Sequence, residues 1–241
     1  MFLSSNRFSI LSMTELRAAL LNNRRKFHNI TPFDFKKDKF LILDFSIKNE
    51  ELKSLDLNDE NAFNGYVFDN IHNADAKFGI GGYGEDRIIY KRSEVFSGEE
   101  SRSLHLGIDV WAAAGTPVNA PMDSTVHSFK NNNQHGDYGP TIILQHELDG
   151  ITFYTLYGHL NTESIQNLRV GDKISAGQEF TKYGTYAENV HWPPHLHFQI
   201  ISEIGDYYGD YPGVCAPSQK DKWLKLCPDP NLIINLEALN Q

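Results

Sequence analysis

Residues 142–156 read IILQHELDGITFYTL, and this stretch indicates the class of fold. Two apolar, β-branched and aromatic runs flank the pair Asp149-Gly150, which readily adopts the positive backbone angles of a tight hairpin turn. From residue 104 onward the chain continues in short runs of this kind, separated by glycine and proline. The sequence therefore predicts a mainly β fold built on antiparallel strands.

A weak internal repeat refines this expectation. Residues 115–118 (GTPV) precede Ala120-Pro121, and residues 171–174 (GDKI) precede Ala176-Gly177. Each copy resembles a turn that leads into a short strand. We therefore expect an antiparallel β-sheet or sandwich domain with a duplicated, barrel-sandwich-like half-motif.

The composition excludes several classes of function. The chain has 241 residues, of which 40% are hydrophobic, and its 22 basic and 31 acidic residues give a net charge of −9. Nucleic-acid binders and basic membrane-surface proteins need cationic patches, so neither class is expected. No apolar run approaches the roughly 18–20 residues of a membrane span.

The chain divides into three parts by its pattern of residues. Residues 1–80 are expected to form an N-terminal α/β extension with one or two helices, the second a short one over the acidic, polar stretch 49–61. Its first helix is predicted over 12–27, with capping-box spacing between Ser12 and Glu15. Its inner face carries Leu16, Ala19, Leu20 and Asn23. Residues 81–203 form the main domain, and residues 204–241 form a tail expected to pack on it. The glycine-rich stretch 79–87 is interpreted as a turn or a loop that borders a groove.

The compartment stays open at this stage. No apolar stretch with a cleavage site begins the sequence, so the chain is expected in the cytoplasm unless it is exported by another route or the signal is missing here. Cys215 and Cys227 could close a disulfide in an exported protein or remain thiols in a cytosol. The oligomeric state is also left open.

Three clusters carry chemistry, and all lie in the β-rich region. Side chains alternate across a strand, so His105 and Asp109 of HLGID share one face with only Gly107 between them, which leaves room for an ion. In HLHFQI, His195 and His197 likewise share a face opposite three apolar residues. The third cluster is YGHL, residues 157–160, in which Tyr157 and His159 are expected on one side.

Zinc explains why these residue types occur together. Catalytic zinc takes three protein ligands from His, Asp or Glu and leaves a fourth position for water. The clusters offer five such groups, and the two extra histidines are what a hydrolase needs to accept a proton or to stabilise an oxyanion. A lone histidine on a strand is usually structural, but all three clusters on polar strand faces favour a metal site.

These motifs resemble those of the lysostaphin/LytM-type zinc endopeptidases. HLGID, YGHL and HLHF occur in the same order, and the connecting stretches GTPVNAP, DYG and VGDKISAGQ match as well, over about residues 100–202. The resemblance implies that His105, Asp109 and His197 hold one zinc ion. It also implies that His159 and His195 are the unligated catalytic pair.

The resemblance implies a metalloendopeptidase that cleaves peptidoglycan cross-links or stem peptides, in a family that is typically periplasmic or extracellular. Trp192-Pro193-Pro194 and Gln199 depart from the usual flanks of HLHF, which leaves the specificity open. Two alternatives remain: a peptidase for a non-wall peptide, and a non-hydrolytic binding or regulatory module on the same scaffold. A lipoyl or biotin carrier needs a lysine at its hairpin tip, which the Asp149-Gly150 turn lacks.

Overall fold

An eight-stranded sheet forms the centre of the molecule. The computed structural model describes residues 5–92, 96–97 and 100–240. The described strands are β1 (Phe40–Leu43), β2 (Phe78–Gly81), β3 (Leu104–His105), β4 (Ile108–Trp111), β5 (Pro117–Asn119), β6 (Ser124–Asn132), β7 (Gly139–Leu148), β8 (Ile151–Gly158), β9 (Lys173–Ile174), β10 (Glu179–Lys182), β11 (His195–Ile201) and β12 (Val214–Cys215). The described helices are α1 (Ser5–Asn23), α2 (Glu50–Ser54), α3 (Glu60–Asn73), α4 (Glu163–Gln166), α5 (Lys220–Leu226) and α6 (Asn231–Ile234).

The strand order of the large sheet is β1-β2-β4-β11-β8-β7-β6-β9, and two small sheets pair β10 with β5 and β12 with β3. Only β1 and β2 run parallel among these pairs; the others are antiparallel. The mainly β, antiparallel class of fold is therefore confirmed. The hairpin that joins β7 to β8 turns at Asp149 and Gly150, whose φ angles are 52° and 80°.

The two copies of the repeat pair reciprocally. Strand β5 of the first copy pairs with β10 of the second, while β6 of the first pairs with β9 of the second. Each copy therefore completes the edge of the other, as expected of a duplicated half-motif.

The helical part of the extension differs in detail from the prediction. Helix α1 begins at Ser5, not near residue 12, so Ser12 lies inside the helix and is not its N-cap. The helix ends at Asn23, whose Nδ2 donates to the Ala19 carbonyl (2.9 Å) and to Asp149 (2.8 Å). A turn covers 24–26, where the predicted helix continues to 27. The polar stretch predicted as one short helix over 49–61 contains α2 and the start of α3, each capped by an Asn or Asp side chain.

The apolar side of the predicted helix face is confirmed. Leu16, Ala19 and Leu20 are buried, and the helix lies near β8 and α6. The extension also joins the large sheet, because β2 spans residue 80 and pairs with β4.

Strand alternation separates the core from the site. On one side of β4 and β11, Ile108, Val110, Leu196 and Phe198 enter the main hydrophobic core. The residues between them, including Asp109 and His197, face the opposite side. There the tail contributes a second layer of buried residues, among them Tyr211 and Cys215. None of the helices in the described part of the chain has the length and apolarity that crossing a membrane requires.

Candidate metal centre and groove

Three of the predicted site residues meet at the junction of β3, β4 and β11. His197 lies directly opposite Asp109 in the β4–β11 register, and His105 lies on the short strand β3 that pairs with β12. All three side chains are buried. His105 Nε2 lies 2.9 Å from His197 Nδ1 and 3.3 Å from Asp109 Oδ1, and the last two atoms are 3.1 Å apart.

This triangle fits a tetrahedral zinc ion. Ligand atoms about 2.0–2.1 Å from zinc lie about 3.3 Å from one another in a tetrahedral site, and two imidazoles with one carboxylate are a common zinc donor set. These three residues also form the group of potential metal ligands found among the described residues.

Hydrogen bonds on the far side of each imidazole orient both lone pairs toward the triangle. His105 Nδ1 donates to the Gly82 carbonyl at 3.0 Å, which leaves Nε2 unprotonated. His197 Nε2 donates to Gln199 Oε1 at 2.9 Å, which leaves Nδ1 unprotonated. The Gln199 amide nitrogen in turn lies 3.1 Å from the Pro212 carbonyl, which accepts its hydrogen bond.

The electrostatics of the triangle favour a cation. Burial lowers the pKa of His105 to about 4, so its imidazole is neutral at pH 7. Burial opposes the ionisation of Asp109, but His105 and Arg87 hold its pKa well below the usual range. Neutral imidazoles and an ionised carboxylate are the protonation states that bind a metal.

Gly107 has a different role from the one predicted. A Cβ at this position would lie 2.6 Å from His197 Cε1 and 2.8 Å from the Phe198 carbonyl oxygen. The glycine therefore makes room for the imidazole of His197. It affects an ion in the triangle only by allowing this imidazole to take its position.

The other two predicted histidines lie side by side next to the triangle. The ring centroids of His159 and His195 are 4.0 Å apart. His195 Nδ1 donates to the Pro193 carbonyl at 2.7 Å, and its ring stacks on Trp111 at 4.0 Å. His159 Nδ1 is buried and has no hydrogen-bond partner among the described residues. Burial lowers the pKa of both histidines, that of His195 to about 4.

Tyr157 does not join them, contrary to the expected shared side. It is fully buried beside Phe198, and its hydroxyl accepts a hydrogen bond from Thr155. The reason is that β8 ends at Gly158 and His159 has a φ of 63°, so the strand alternation stops before the histidine. Tyr157 is a core residue.

A groove of about 280 Å³ opens over Asp109, His159, His195 and His197. Its walls come from outside the recognised motifs. The segment before β3 contributes Ile89, Tyr90, Phe96 and Arg102, and the tail contributes Tyr207 and residues 210–214. The loop after β6 contributes Asp137. Burial of this side chain raises its pKa to about 6. The interpretation of 79–87 as a turn or loop is wrong for residues 79–81, which belong to strand β2 and pair with β4. Arg87 at the end of the stretch lines the groove, as expected.

Sequence reasoning missed four residues that complete the site. Arg87 contacts Asp109, Trp111 stacks on His195, and Tyr138 packs its ring 5.1 Å from that of His197. Gln199 departs from the family pattern in sequence, and only the structure shows that it accepts a hydrogen bond from His197. For Trp111 the signal was available, since it lies two residues after Asp109 on the same strand face. The tail cysteines are buried and not bonded to each other, and Cys227 Sγ lies 3.2 Å from the Gln199 amide nitrogen.

Two imidazoles and a carboxylate, with two further histidines beside them, are the residue types that a catalytic zinc centre requires. Residues 103–208 of the chain match the family described as Peptidase family M23.

Two curated relatives extend the comparison. An uncharacterized metalloprotease of Haemophilus influenzae is 32% identical over 96 residues, which is 40% of this chain and 18% of that protein. The DD-carboxypeptidase/endopeptidase Mpg of Neisseria meningitidis is 30% identical over 128 residues, 49% of this chain and 26% of that protein. The chain thus spans about a fifth to a quarter of these relatives. Among solved structures, the lysostaphin catalytic domain from Staphylococcus simulans is 27% identical with a TM-score of 0.36, over 50% of this chain and 80% of that one.

Proposed function

We propose that this chain is a zinc-dependent endopeptidase that hydrolyses peptide bonds in peptidoglycan cross-links or stem peptides. The observation that carries the proposal is the division of five buried groups into a three-atom triangle and a separate imidazole pair. A purely structural cluster would not need two histidines that stand outside the triangle, one of them with an unpartnered nitrogen.

His105, Asp109 and His197 are the proposed zinc ligands, with one ion per chain. Zinc, when bound, supplies a Lewis acid and lowers the pKa of a coordinated water to about 7. Gly82 and Gln199 keep the two imidazoles in the correct tautomer and orientation, which in zinc sites contributes a tenfold to hundredfold gain in affinity.

His159 and His195 are the proposed catalytic pair. Since His195 donates through Nδ1 to Pro193, its Nε2 is free to accept a proton from the attacking water. His159, 4.0 Å away ring to ring, can donate a hydrogen bond to the oxygen that becomes negative when the carbonyl is attacked. Burial keeps both imidazoles neutral in the resting site, so neither enters the reaction already protonated.

The substrate is proposed on two grounds. The groove is lined by aromatic side chains, among them Tyr90, Trp111 and Trp192, beside charged ones, which suits a peptide. A relative that is 30% identical over 128 residues is named as a DD-carboxypeptidase/endopeptidase, and the motifs resemble those of a family that acts on cell-wall peptides. Cleavage of a non-wall peptide by the same residues is the alternative outcome of a substrate screen.

Two alanine variants test the proposal. Asp109→Ala should lose zinc, whereas His195→Ala should retain about one zinc per chain and lose turnover, because only the first removes a ligand. Zinc content by elemental analysis and release of fragments from purified peptidoglycan, identified by mass spectrometry, measure both. Full hydrolysis by His195→Ala would refute its role. Zinc binding without hydrolysis of any wall or non-wall peptide would favour the binding module.

A further inference from the structure

Arg87 is a fully buried cation that belongs to no recognised motif. It lies before the segment that matches the M23 family and enters the site from the N-terminal side. Its backbone N–H donates to the Ser103 carbonyl at 2.9 Å, which ties this segment to the start of β3. A buried guanidinium is costly unless every donor is matched, so its partners indicate its purpose.

One of the partners of Arg87 is Asp109, a proposed zinc ligand. Its Nη1 donates to Asp109 Oδ2 and lies 3.3 Å from the Tyr90 hydroxyl. Its Nε donates to Glu85 Oε2 at 2.7 Å, and the guanidinium lies 5.4 Å from the ring centroid of Phe45. Hydrogen bonding, ion pairing and ring packing thus hold the guanidinium in one place.

The two oxygens of Asp109 consequently have separate partners. Oδ2 is occupied by Arg87, while Oδ1 faces His105 at 3.3 Å and His197 at 3.1 Å. A free carboxylate can bind a metal through one oxygen or both. With Oδ2 occupied, only Oδ1 remains for the metal.

We propose that Arg87 is a positioning residue that restricts Asp109 to coordination of zinc through a single oxygen and so keeps a coordination position open for water. The inference rests on the proposed zinc site. Glu85 holds Arg87 in place from the side opposite Asp109. One of its oxygens accepts the hydrogen bond from Arg87 Nε, and the other accepts one from the Phe45 backbone N–H at 3.1 Å, which fixes the carboxylate. Arg87, Glu85 and Asp109 carry one positive and two negative charges, so removal of Arg87 would leave the half-buried carboxylate of Glu85 and the buried carboxylate of Asp109 without their shared cation.

A glycine offers a way to move Arg87 without changing any charge. A Cβ at Gly81 would lie 2.7 Å from Arg87 Nη2, closer than ordinary contact permits. Gly81→Ala should therefore displace the guanidinium while leaving Arg87, Glu85 and Asp109 intact.

The test compares Arg87→Gln, Arg87→Lys and Gly81→Ala with wild type and with Arg169→Gln, a control at an exposed arginine. Zinc affinity is measured by competition with a chelator. The absorption spectrum of the cobalt-substituted protein reports the coordination number, which a merely structural role of Arg87 would not change. Each site variant should bind zinc about 10–100-fold more weakly than wild type and shift the cobalt spectrum toward a higher coordination number. Lysine should not restore the wild-type values, because it lacks the planar fork that bonds Asp109 and Glu85 together.

Each outcome has a distinct meaning. Wild-type affinity and an unchanged cobalt spectrum in Arg87→Gln, or full rescue by Arg87→Lys, would overturn the inference and leave the proposed function standing. Absence of zinc binding by wild type would overturn both. If Arg87→Gln does not fold, Gly81→Ala and Arg87→Lys decide the question, since each retains a buried positive charge.

Discussion

Gly107→Ala is expected to damage the site through a single methyl group. The new Cβ would lie 2.6 Å from His197 Cε1 and 2.7 Å from Nε2, about 0.8 Å short of ordinary contact. The imidazole cannot simply rotate away, because the Phe198 carbonyl oxygen of the same strand lies 2.8 Å from the Cβ. Strand β11 itself must therefore shift.

The magnitude follows from this displacement. Overpacking of a well-packed interior costs about 1–3 kcal/mol of folding free energy. For a chain of this size that corresponds to a fall of about 2–12 °C in the melting temperature of the metal-free protein. A ligand shifted by more than about 0.5 Å leaves the geometry that a metal site tolerates, so zinc affinity should fall about 10–100-fold.

The assay pairs thermal unfolding of the metal-free protein with a chelator competition for zinc. Gly65→Ala in helix α3 is the matched control, since the nearest atom to its Cβ is a flexible Asp69 oxygen at 3.4 Å. Alanine is a better helix former than glycine, so the control should be neutral or stabilising by up to about 1 kcal/mol. Wild-type stability together with wild-type zinc affinity in Gly107→Ala would refute the close packing of Gly107 on His197.

Two further predictions concern the surroundings of the triangle. Gln199→Leu removes the acceptor for His197 Nε2–H and should weaken zinc binding about 10–100-fold in a competition titration. Gln199→Glu keeps an acceptor and should bind zinc more tightly than the leucine variant. Equal zinc affinities of the two variants would contradict this role of Gln199. Burial raises the pKa of Asp137 to about 6, so folding takes up a proton between about pH 4 and 6, and the ionised carboxylate destabilises the protein above that range. The free energy of unfolding of Asp137→Asn should therefore exceed that of wild type by about 1 kcal/mol at pH 7–8 and match it near pH 4. A difference that stays constant with pH would exclude ionisation as the cause.

Local patterns were sufficient for the strands and for the five histidine and aspartate residues. In a strand, alternate side chains share a face whatever the rest of the fold does. That rule holds within HLHF, where it placed His197 on the polar side of β11 opposite Asp109 of β4. It does not hold across HLGID, because this motif is divided between β3 and β4, and Leu106 and Ile108 pack in different hydrophobic clusters. It did not hold for Tyr157 and His159, because the positive φ of His159 depends on the chain leaving the sheet at Gly158.

Helix boundaries were predicted less well for a similar reason. Ser12 and Glu15 have the spacing of a capping box, yet α1 begins at Ser5. A capping motif favours a helix start without preventing the helix from continuing through it. At the other end Asn23 binds Asp149 of the β7–β8 turn, a contact between residues far apart in sequence.

The sequence by itself determined the mainly β class of fold and the hairpin at Asp149-Gly150, because both depend on neighbours only a few positions apart. Its three histidine-containing motifs also marked the candidate site, and their resemblance to a known family implied which residues would hold zinc. Tertiary structure alone decided which atoms face one another. Arg87 reaches Asp109, Gln199 orients His197, and the tail forms a groove wall, all through contacts between separate segments of the chain. Such contacts have no periodicity along the sequence. Their partners are brought together by strand pairing and burial, which sequence spacing does not reveal.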